Sequence, residues 1–375
     1  MKIIVMKFGG SSLSNNLNLN IVANKIIKFK KDNNAKIVVV VSAQGNDTNN
    51  LIKEAKELSS NPNKRELDAL LSTGEIKSAA KLSILLNRIG YKTKSLNAYQ
   101  TKIRVNGEYG NARIKSIDSN IILKELEDND ILIITGFQGI NDKKELLTLG
   151  RGGSDTTCVA IAKSLNLKDC YICSDVDGIY KEDPNIKKDT TKLERISYDE
   201  METTAYHGAK VLHDRCINIA RESNIKIHAL STFKENKGTI IDNNKESDIE
   251  KYEIKNIIKC KVLKIELKQI NEDKKDEIIK ELIKRNIRLE YIKFQENKII
   301  IYLNKYNYDE FLNYIENKNI TISKREIVKM SIVGYGISNN ESILQNMINS
   351  LKSKFKRIEA IIIDNLRVTI YYTDI

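Results

Sequence analysis

From residue 1 to about 240 the chain alternates short apolar runs with stretches of helical pattern, and this rhythm restricts the fold more than any other feature. Strands are expected at 2–6, 36–42, 131–136, 170–174 and 225–230, with helices near 18–31, 64–87, 118–126, 155–165 and 208–222. Parallel neighbours need a long crossover, usually a helix, so the alternation implies an α/β protein: a three-layer αβα sandwich with a mainly parallel sheet. Residues 234–256 are polar and charged, and the domain boundary is placed there. Beyond it come a strand (257–267), a helix (274–285), two strands (287–294, 298–303) and a helix (307–317). A strand (327–333), a helix (340–354) and two further strands (357–363, 366–372) complete the chain. The tail therefore reads as a weak internal repeat of small α+β modules whose second copy stops early.

Bulk properties exclude several classes. The longest apolar runs fall short of the ~18 residues a spanning helix needs. Lys7 interrupts the apolar start too early for a secretory signal, so a cytoplasmic protein is expected. The net charge of +12 is spread along the chain together with abundant asparagine and isoleucine. No arginine-rich helix or basic-aromatic cluster stands out, which argues against nucleic acid as the partner, although a positive field favours encounter with nucleotides and acidic metabolites. Cys170 and Cys173 form a C-x-x-C inside an expected strand, where positions three apart face opposite sides. No second such pair follows, so a buried reduced strand is expected in place of a zinc or redox centre.

The chemistry-bearing residues sit in glycine-rich segments at expected strand ends. Lys7-Phe8-Gly9-Gly10-Ser11-Ser12 follows the first strand. It lets backbone N–H groups approach an anion and adds a mobile cation, yet it matches neither the P-loop nor the dinucleotide fingerprint. Taken alone, it is equally an ordinary strand and glycine turn. Gly45, Gly136 with Gly139, Gly150-Arg151-Gly152-Gly153 and Gly178 mark further loops expected to converge on one crevice. Arg151, followed by Ser154 and Asp155 at a helix start, suits a carboxylate held by two parallel hydrogen bonds. A capped glycine turn explains the rest of that segment but not the arginine. Glu75, in Leu70-Leu71-Ser72-Thr73-Gly74-Glu75, is an acid able to hold an amino group, or else a solvated or capping glutamate near a helix start. Ser42 and Thr48 supply hydroxyls after the second strand. Ser174-Asp175-Val176-Asp177-Gly178-Ile179-Tyr180, with Asp183-Pro184 behind it, suits an adenine and ribose; its spacing does not give a calcium loop. Gly208-Ala209-Lys210-Val211-Leu212-His213 offers a second lysine, and no His–acid dyad stands out.

Together and in this order, these motifs resemble the aspartokinases of the amino-acid kinase family. The resemblance runs over nearly all of residues 1–241 and is most specific at Lys7–Ser12 and at Leu149-Gly150-Arg151-Gly152-Gly153-Ser154-Asp155. It implies an amino-acid kinase fold and phosphorylation of the side-chain carboxylate of L-aspartate by ATP, yielding 4-phospho-L-aspartate on the way to lysine, threonine and methionine. It also implies Mg2+ carried on the nucleotide phosphates. By the same resemblance, Lys7 and Lys210 neutralise the transferring phosphoryl group and Asp155 steadies them. Phe8, Gly9, Gly10, Ser174, Asp175, Tyr180 and Asn185 line the ATP site. Arg151 holds the α-carboxylate and Glu75 the α-amino group, while Ser42, Thr48, Gly152, Gly153 and Ser154 complete the substrate side.

The tail is similar to the paired ACT regulatory modules of that family, clearest at Lys329–Gly334. The implied division is a catalytic domain over 1–242, one ACT-like module over 257–325 and a truncated second over 326–375. A homodimer through these modules is expected, because edge strands of small sheets commonly pair. Several positions depart from the family pattern, among them Ile76, Asn185, Asp214 and Leu230. Gln269–Asp273 lacks the usual Pro-Gly of an effector pocket, so altered or absent feedback by lysine or threonine is expected. The rival readings are a kinase of acetylglutamate, glutamate or a nucleotide monophosphate, and a non-catalytic amino-acid sensor.

Overall fold

The computed structural model describes residues 2–182, 184, 187–206, 212–243, 254–285, 287, 289–304, 308–315, 320–334, 337, 345–346, 349, 357–364 and 366–373. The chain divides into two compact units, Met1–Asp248 and Ile249–Ile375.

In the first unit the elements run β1 (Ile3–Phe8), α1 (Asn16–Asn33), β2 (Lys36–Val41), α2 (Asp47–Leu58), α3 (Lys64–Arg88), β3 (Thr93–Leu96), α4 (Ala98–Thr101), β4 (Arg104–Asn106), β5 (Arg113–Ser116) and α5 (Ser119–Asp128). They continue as β6 (Ile131–Thr135), β7 (Gln138–Ile140), β8 (Leu146–Thr148), α6 (Gly153–Ser164), β9 (Asp169–Ser174), β10 (Arg195–Ser197), α7 (Tyr198–Tyr206), α8 (Asp214–Ser223), β11 (Lys226–Ser231) and β12 (Thr239–Asp242). The main sheet has the order β10-β12-β11-β9-β1-β2-β6-β3, and only the β11–β12 pair is antiparallel. A smaller sheet, β5-β4-β7-β8, lies beside it in the chain order.

Alternation along the central strands explains the layers. Val5 packs in the core that holds Val159 and Ile161 of α6 and Ile217 of α8, whereas Ile4, Met6 and Phe8 pack with Val22 and Ile26 of α1 and Leu82 of α3. Lys7 shares the parity of Val5, which directs it to the α6 side. The same rule separates Cys170 and Cys173 into the two opposite cores, both as free thiols. The five expected strands and the helices at 18–31, 64–87, 118–126 and 155–165 all have counterparts. Among the described residues the helix expected from 208 begins at Asp214; the stretch 207–211 lies outside them. Helices α2, α4 and α7, strands β3, β10 and β12 of the main sheet and the whole smaller sheet are additional. No described helix is long and apolar enough to cross a membrane.

The second unit contains β13 (Asn256–Lys268), α9 (Glu272–Lys284), β14 (Leu289–Gln295), β15 (Lys298–Leu303), α10 (Tyr308–Ile315), β16 (Thr321–Val333), β17 (Arg357–Asp364) and β18 (Arg367–Thr373). They form one antiparallel sheet in the order β14-β15-β13-β16-β18-β17. Its two halves mirror each other: β13, β14 and β15 of the first repeat correspond to β16, β17 and β18 of the second. Strands β13 and β16 pair from Asn256↔Val333 to Lys268↔Thr321, so the boundary expected between 325 and 326 falls inside β16. Most of the helix expected at 340–354 lies outside the described residues.

Candidate active site

β1 ends in the glycine pair, and its last lysine meets the first turn of α6. Lys7 Nζ stands 2.6 Å from Asp155 Oδ1, and both residues are buried, each 8% exposed. Burial opposes charge on Lys7, but the Asp155 carboxylate outweighs it and holds the ammonium above its ordinary pKa, so Lys7 is a fixed cation. The start of α6 adds the partial positive charge of a helix N-terminus to the same place. A Cβ at Gly9 would lie 3.5 Å from Lys7 Nζ, so the glycine leaves one side of the ammonium uncovered.

The loops after β1 and β2 touch. Gly45 N–H donates to Gly10 O at 2.9 Å, and Ser42 N–H donates to Phe8 O at 3.2 Å. Glu75 braces the second of these loops: its Oε1 accepts the Ala43 N–H at 2.9 Å. The glutamate is neither solvated nor near a helix start, as one sequence reading allowed. It sits in the middle of α3, only 3% exposed, and its Oε2 is buried with no hydrogen-bond partner. Desolvation pushes its pKa up to about 8, although the Ala43 N–H pulls the other way. Thr48 lies half-buried in the first turn of α2.

Gly150–Gly153 connects β8 to α6. Gly152 adopts φ 66°, and a Cβ there would come within 2.2 Å of His213 Cβ, so both conformation and space call for glycine. Arg151 is exposed beside it, while Gly153 and Ser154 are buried in the helix start. Ser154 also fills the space next to Gly136 at the end of β6, where a Cβ would approach its Oγ to 2.7 Å.

On the β9 side, Thr232 N–H donates to Ser174 O at 2.7 Å, and Ser174 Oγ donates to Val176 O at 3.3 Å. Tyr180 hydroxyl donates to Asp177 Oδ1 at 2.6 Å, which pushes the phenol pKa up to about 12 and holds the Asp177 carboxyl below its ordinary range. Asp175 is exposed. Sequence reasoning gave Asp177 no role; its three-residue spacing from Tyr180 was the available signal. Lys210 and Asn185 lie outside the described residues.

Among the described residues there are two His–acid pairs where the sequence suggested none. His213 Nδ1 lies 2.6 Å from Asp214 Oδ1, and His228 Nε2 lies 2.8 Å from Asp169 Oδ1. The second joins the starts of β11 and β9, at the sheet edge opposite Ser174, so it is remote from these loops. Among the described residues no group of three or more His, Cys, Asp or Glu side chains is placed to hold a metal ion.

The Amino acid kinase family profile matches residues 2–231. Aspartokinase 2 of Bacillus subtilis is 35% identical over 384 residues, covering 98% of this chain and 93% of that protein. The chain belongs to the amino acid kinase family, in its aspartokinase branch. The aspartokinase of Bacillus sp. strain MGA3 is 43% identical over 242 residues, a match that takes in 64% of this chain and 59% of that relative's length. The crystal structure of Escherichia coli aspartokinase III in complex with aspartate and ADP has a TM-score of 0.81 and 20% identity, covering 100% of this chain and 96% of that one. Clostridium acetobutylicum aspartate kinase gives a TM-score of 0.69 at 20% identity. These structures support the kinase architecture of the family.

Proposed function

We propose that this chain transfers the γ-phosphoryl group of ATP to the side-chain carboxylate of L-aspartate, forming 4-phospho-L-aspartate and ADP. The observation that carries the reading is the buried Lys7–Asp155 pair at the C-terminal end of β1, a fixed cation with one uncovered side next to Gly9. An aspartate side chain is already an anion at neutral pH, so the oxygen that attacks phosphorus needs no general base. The difficulty is bringing that anion to a polyanionic donor, which alignment and positive charge relieve. One bond forms between the carboxylate oxygen and the γ-phosphorus, and the bond from that phosphorus to the ADP oxygen breaks.

Lys7 would neutralise the phosphoryl group, with Lys210 as its partner by resemblance. Gly9 and Gly10 would let backbone N–H groups reach the phosphates, and Ser174, Asp175, Tyr180 and Asn185 would line the nucleoside. The Asp177–Tyr180 hydrogen bond supports this by holding the loop after β9 in one shape. Mg2+ would arrive on the nucleotide phosphates and offset their charge. On the substrate side, Arg151 would take the α-carboxylate, with Ser42, Thr48, Gly152, Gly153 and Ser154 around it. The unpartnered Glu75 Oε2 suits a charged α-amino group. It disfavours acetylglutamate, whose amide nitrogen carries no positive charge. The same reading includes a homodimer through the second unit and altered or absent feedback by lysine or threonine.

The test is coupled ADP release with aspartate, glutamate and acetylglutamate side by side, with and without Mg2+. Aspartate-dependent, Mg2+-dependent turnover is expected; preference for another acceptor, or no turnover with any, overturns the assignment.

A further inference from the structure

Helix α3 carries a second buried acid two turns before Glu75. Asp68 is 1% exposed, and both its oxygens are used: Oδ2 accepts the N–H groups of Thr148 at 2.7 Å and Gly110 at 2.9 Å, and Oδ1 accepts the Thr148 hydroxyl at 2.8 Å. Thr148 is the last residue of β8, three positions before Arg151. From the other side, Arg215 of α8 donates to Leu149 O and, at 2.7 Å, to Ala112 O. The backbone closes the arrangement, with Ala112 N–H donating to Thr148 O at 3.0 Å and Leu149 N–H to Phe137 O at 2.8 Å. Gly110 O lies so near Gly150 that a Cβ there would come within 2.8 Å of it. A carboxylate collecting N–H groups and a guanidinium collecting carbonyls thus hold one strand end between two helices, through charge-assisted hydrogen bonds.

We propose that Asp68 and Arg215 are positioning residues for the substrate carboxylate. They fix the Thr148–Leu149 strand end and so set where Arg151 stands, while Asp68 places that strand end on the helix that carries Glu75. The proposal rests on the reading of Arg151 and Glu75 given above. Asp68, Ser72 and Glu75 follow the spacing of one helix face, and Ser72 O accepts Gln138 Nε2 at 3.0 Å, which ties β7 to the same stripe. A rigid support of this kind acts on binding of the amino acid and leaves the nucleotide loop after β9 untouched.

The variants are Asp68→Ala, Asp68→Asn, Arg215→Met and the double Asp68→Ala/Arg215→Met. Alanine is expected to raise the aspartate KM tenfold or more with the ATP KM unchanged within twofold. Asparagine should recover to within about threefold of the parent, because its oxygen accepts both N–H groups and its amide donates to the Thr148 hydroxyl. Arg215→Met should act like alanine at 68, and the double variant should show less than the product of the two effects, since both loosen one strand end. Hydrogen exchange of residues 149–154 should quicken in Asp68→Ala and Arg215→Met but not in Asp68→Asn. Equal rises in both KM values, or unchanged exchange in both disruptive variants, overturn the proposal. Should Asp68→Ala fail to fold, Arg215→Met decides alone by the same two readouts. A parent protein with no aspartate-dependent turnover defeats the kinase reading instead, and exchange then decides the positioning role by itself.

Discussion

Lys7 and Asp155 meet at 2.6 Å although 148 positions separate them in the sequence, and the contact joins the end of a central strand to the start of a helix. The pair is buried, so removing either charge leaves the other without compensation. Lys7→Met is expected to lower kcat by about 10²–10³, the scale seen when one donor to a developing anion is lost. Asp155→Asn should destabilise the fold by about 3–5 kcal/mol, as for other broken buried pairs. Steady-state kinetics and urea unfolding of the two variants measure both numbers. A fully active Lys7→Met ends the role proposed for this residue.

Glu75 gives a pH signature. Its folded pKa of about 8 lies above the ordinary carboxylate value of 4.5, so the unfolded chain ionises first. Between these values the folded state binds more protons, and stability falls as pH rises, by at most about 1.4 kcal/mol per unit, then levels above pH ~8. Binding of a substrate ammonium needs the ionised carboxylate. The aspartate KM is therefore expected to fall as pH rises towards 8, by up to about tenfold per unit, and to flatten beyond it. Glu75→Gln should raise the aspartate KM far more than the ATP KM and abolish both slopes. KM profiles and thermal unfolding across pH 6–9 check this, and an unchanged slope in the Gln variant removes the assignment.

Sequence pattern revealed what depends on local composition. The apolar runs at β1, β2, β6, β9 and β11 and the glycine loops behind them are continuous signals, and period-two alternation was enough to separate Cys170 from Cys173. The smaller sheet stayed hidden because β4, β7 and β8 have three residues each, too few for a period to appear. Helix α7 was missed where Thr203 and Thr204 weaken the helical pattern. Burial was the other blind spot: nothing local distinguishes Glu75, mid-helix and enclosed, from the solvated glutamates around it. Asp68 finds its partners in Gly110 and Thr148, 42 and 80 positions away, where no local pattern reaches.

Gly152 combines φ 66° with the His213 side chain at 2.2 Å from where a Cβ would stand. Gly152→Ala therefore meets both a backbone penalty of about 1–2 kcal/mol and an overpacking cost of about 1–3 kcal/mol. The loop should shift and the aspartate KM rise at least tenfold. The nearest atom is His213 Cβ, which an alanine would keep, so it is the double variant Gly152→Ala/His213→Gly that removes the clash, and it is expected to recover part of the stability and not all. Full recovery would mean that φ is not restrictive, and no recovery would mean that His213 yields freely. Thermal unfolding of the four proteins in the cycle separates these terms.

In the second unit two lysines tie the repeats together in a reciprocal way. Lys264 on β13 reaches Glu359 on β17 at 2.9 Å, and Lys329 on β16 reaches Glu290 on β14 at 2.8 Å. Each joins the first strand of one repeat to the second strand of the other, across two intervening strands of the sheet. Their surroundings differ. Glu359 keeps Arg325 at 2.5 Å and Arg357 at 3.2 Å if Lys264 is removed, whereas the described contacts of Glu290 give it Lys329 alone. Lys329 and Glu290 have side chains only 1% and 6% exposed, so Lys329→Met leaves a buried carboxylate uncompensated and should cost about 3–5 kcal/mol. Lys264→Met should cost less than half as much. Replacing both partners, Lys329→Met with Glu290→Leu, should restore most of the loss, because two apolar side chains of similar volume avoid the desolvation of a lone charge. Urea unfolding of the three variants decides it. Equal costs for the two lysines would show that the extra arginines do not compensate Glu359, and a double variant as unstable as Lys329→Met would show that the loss comes from packing and not from charge.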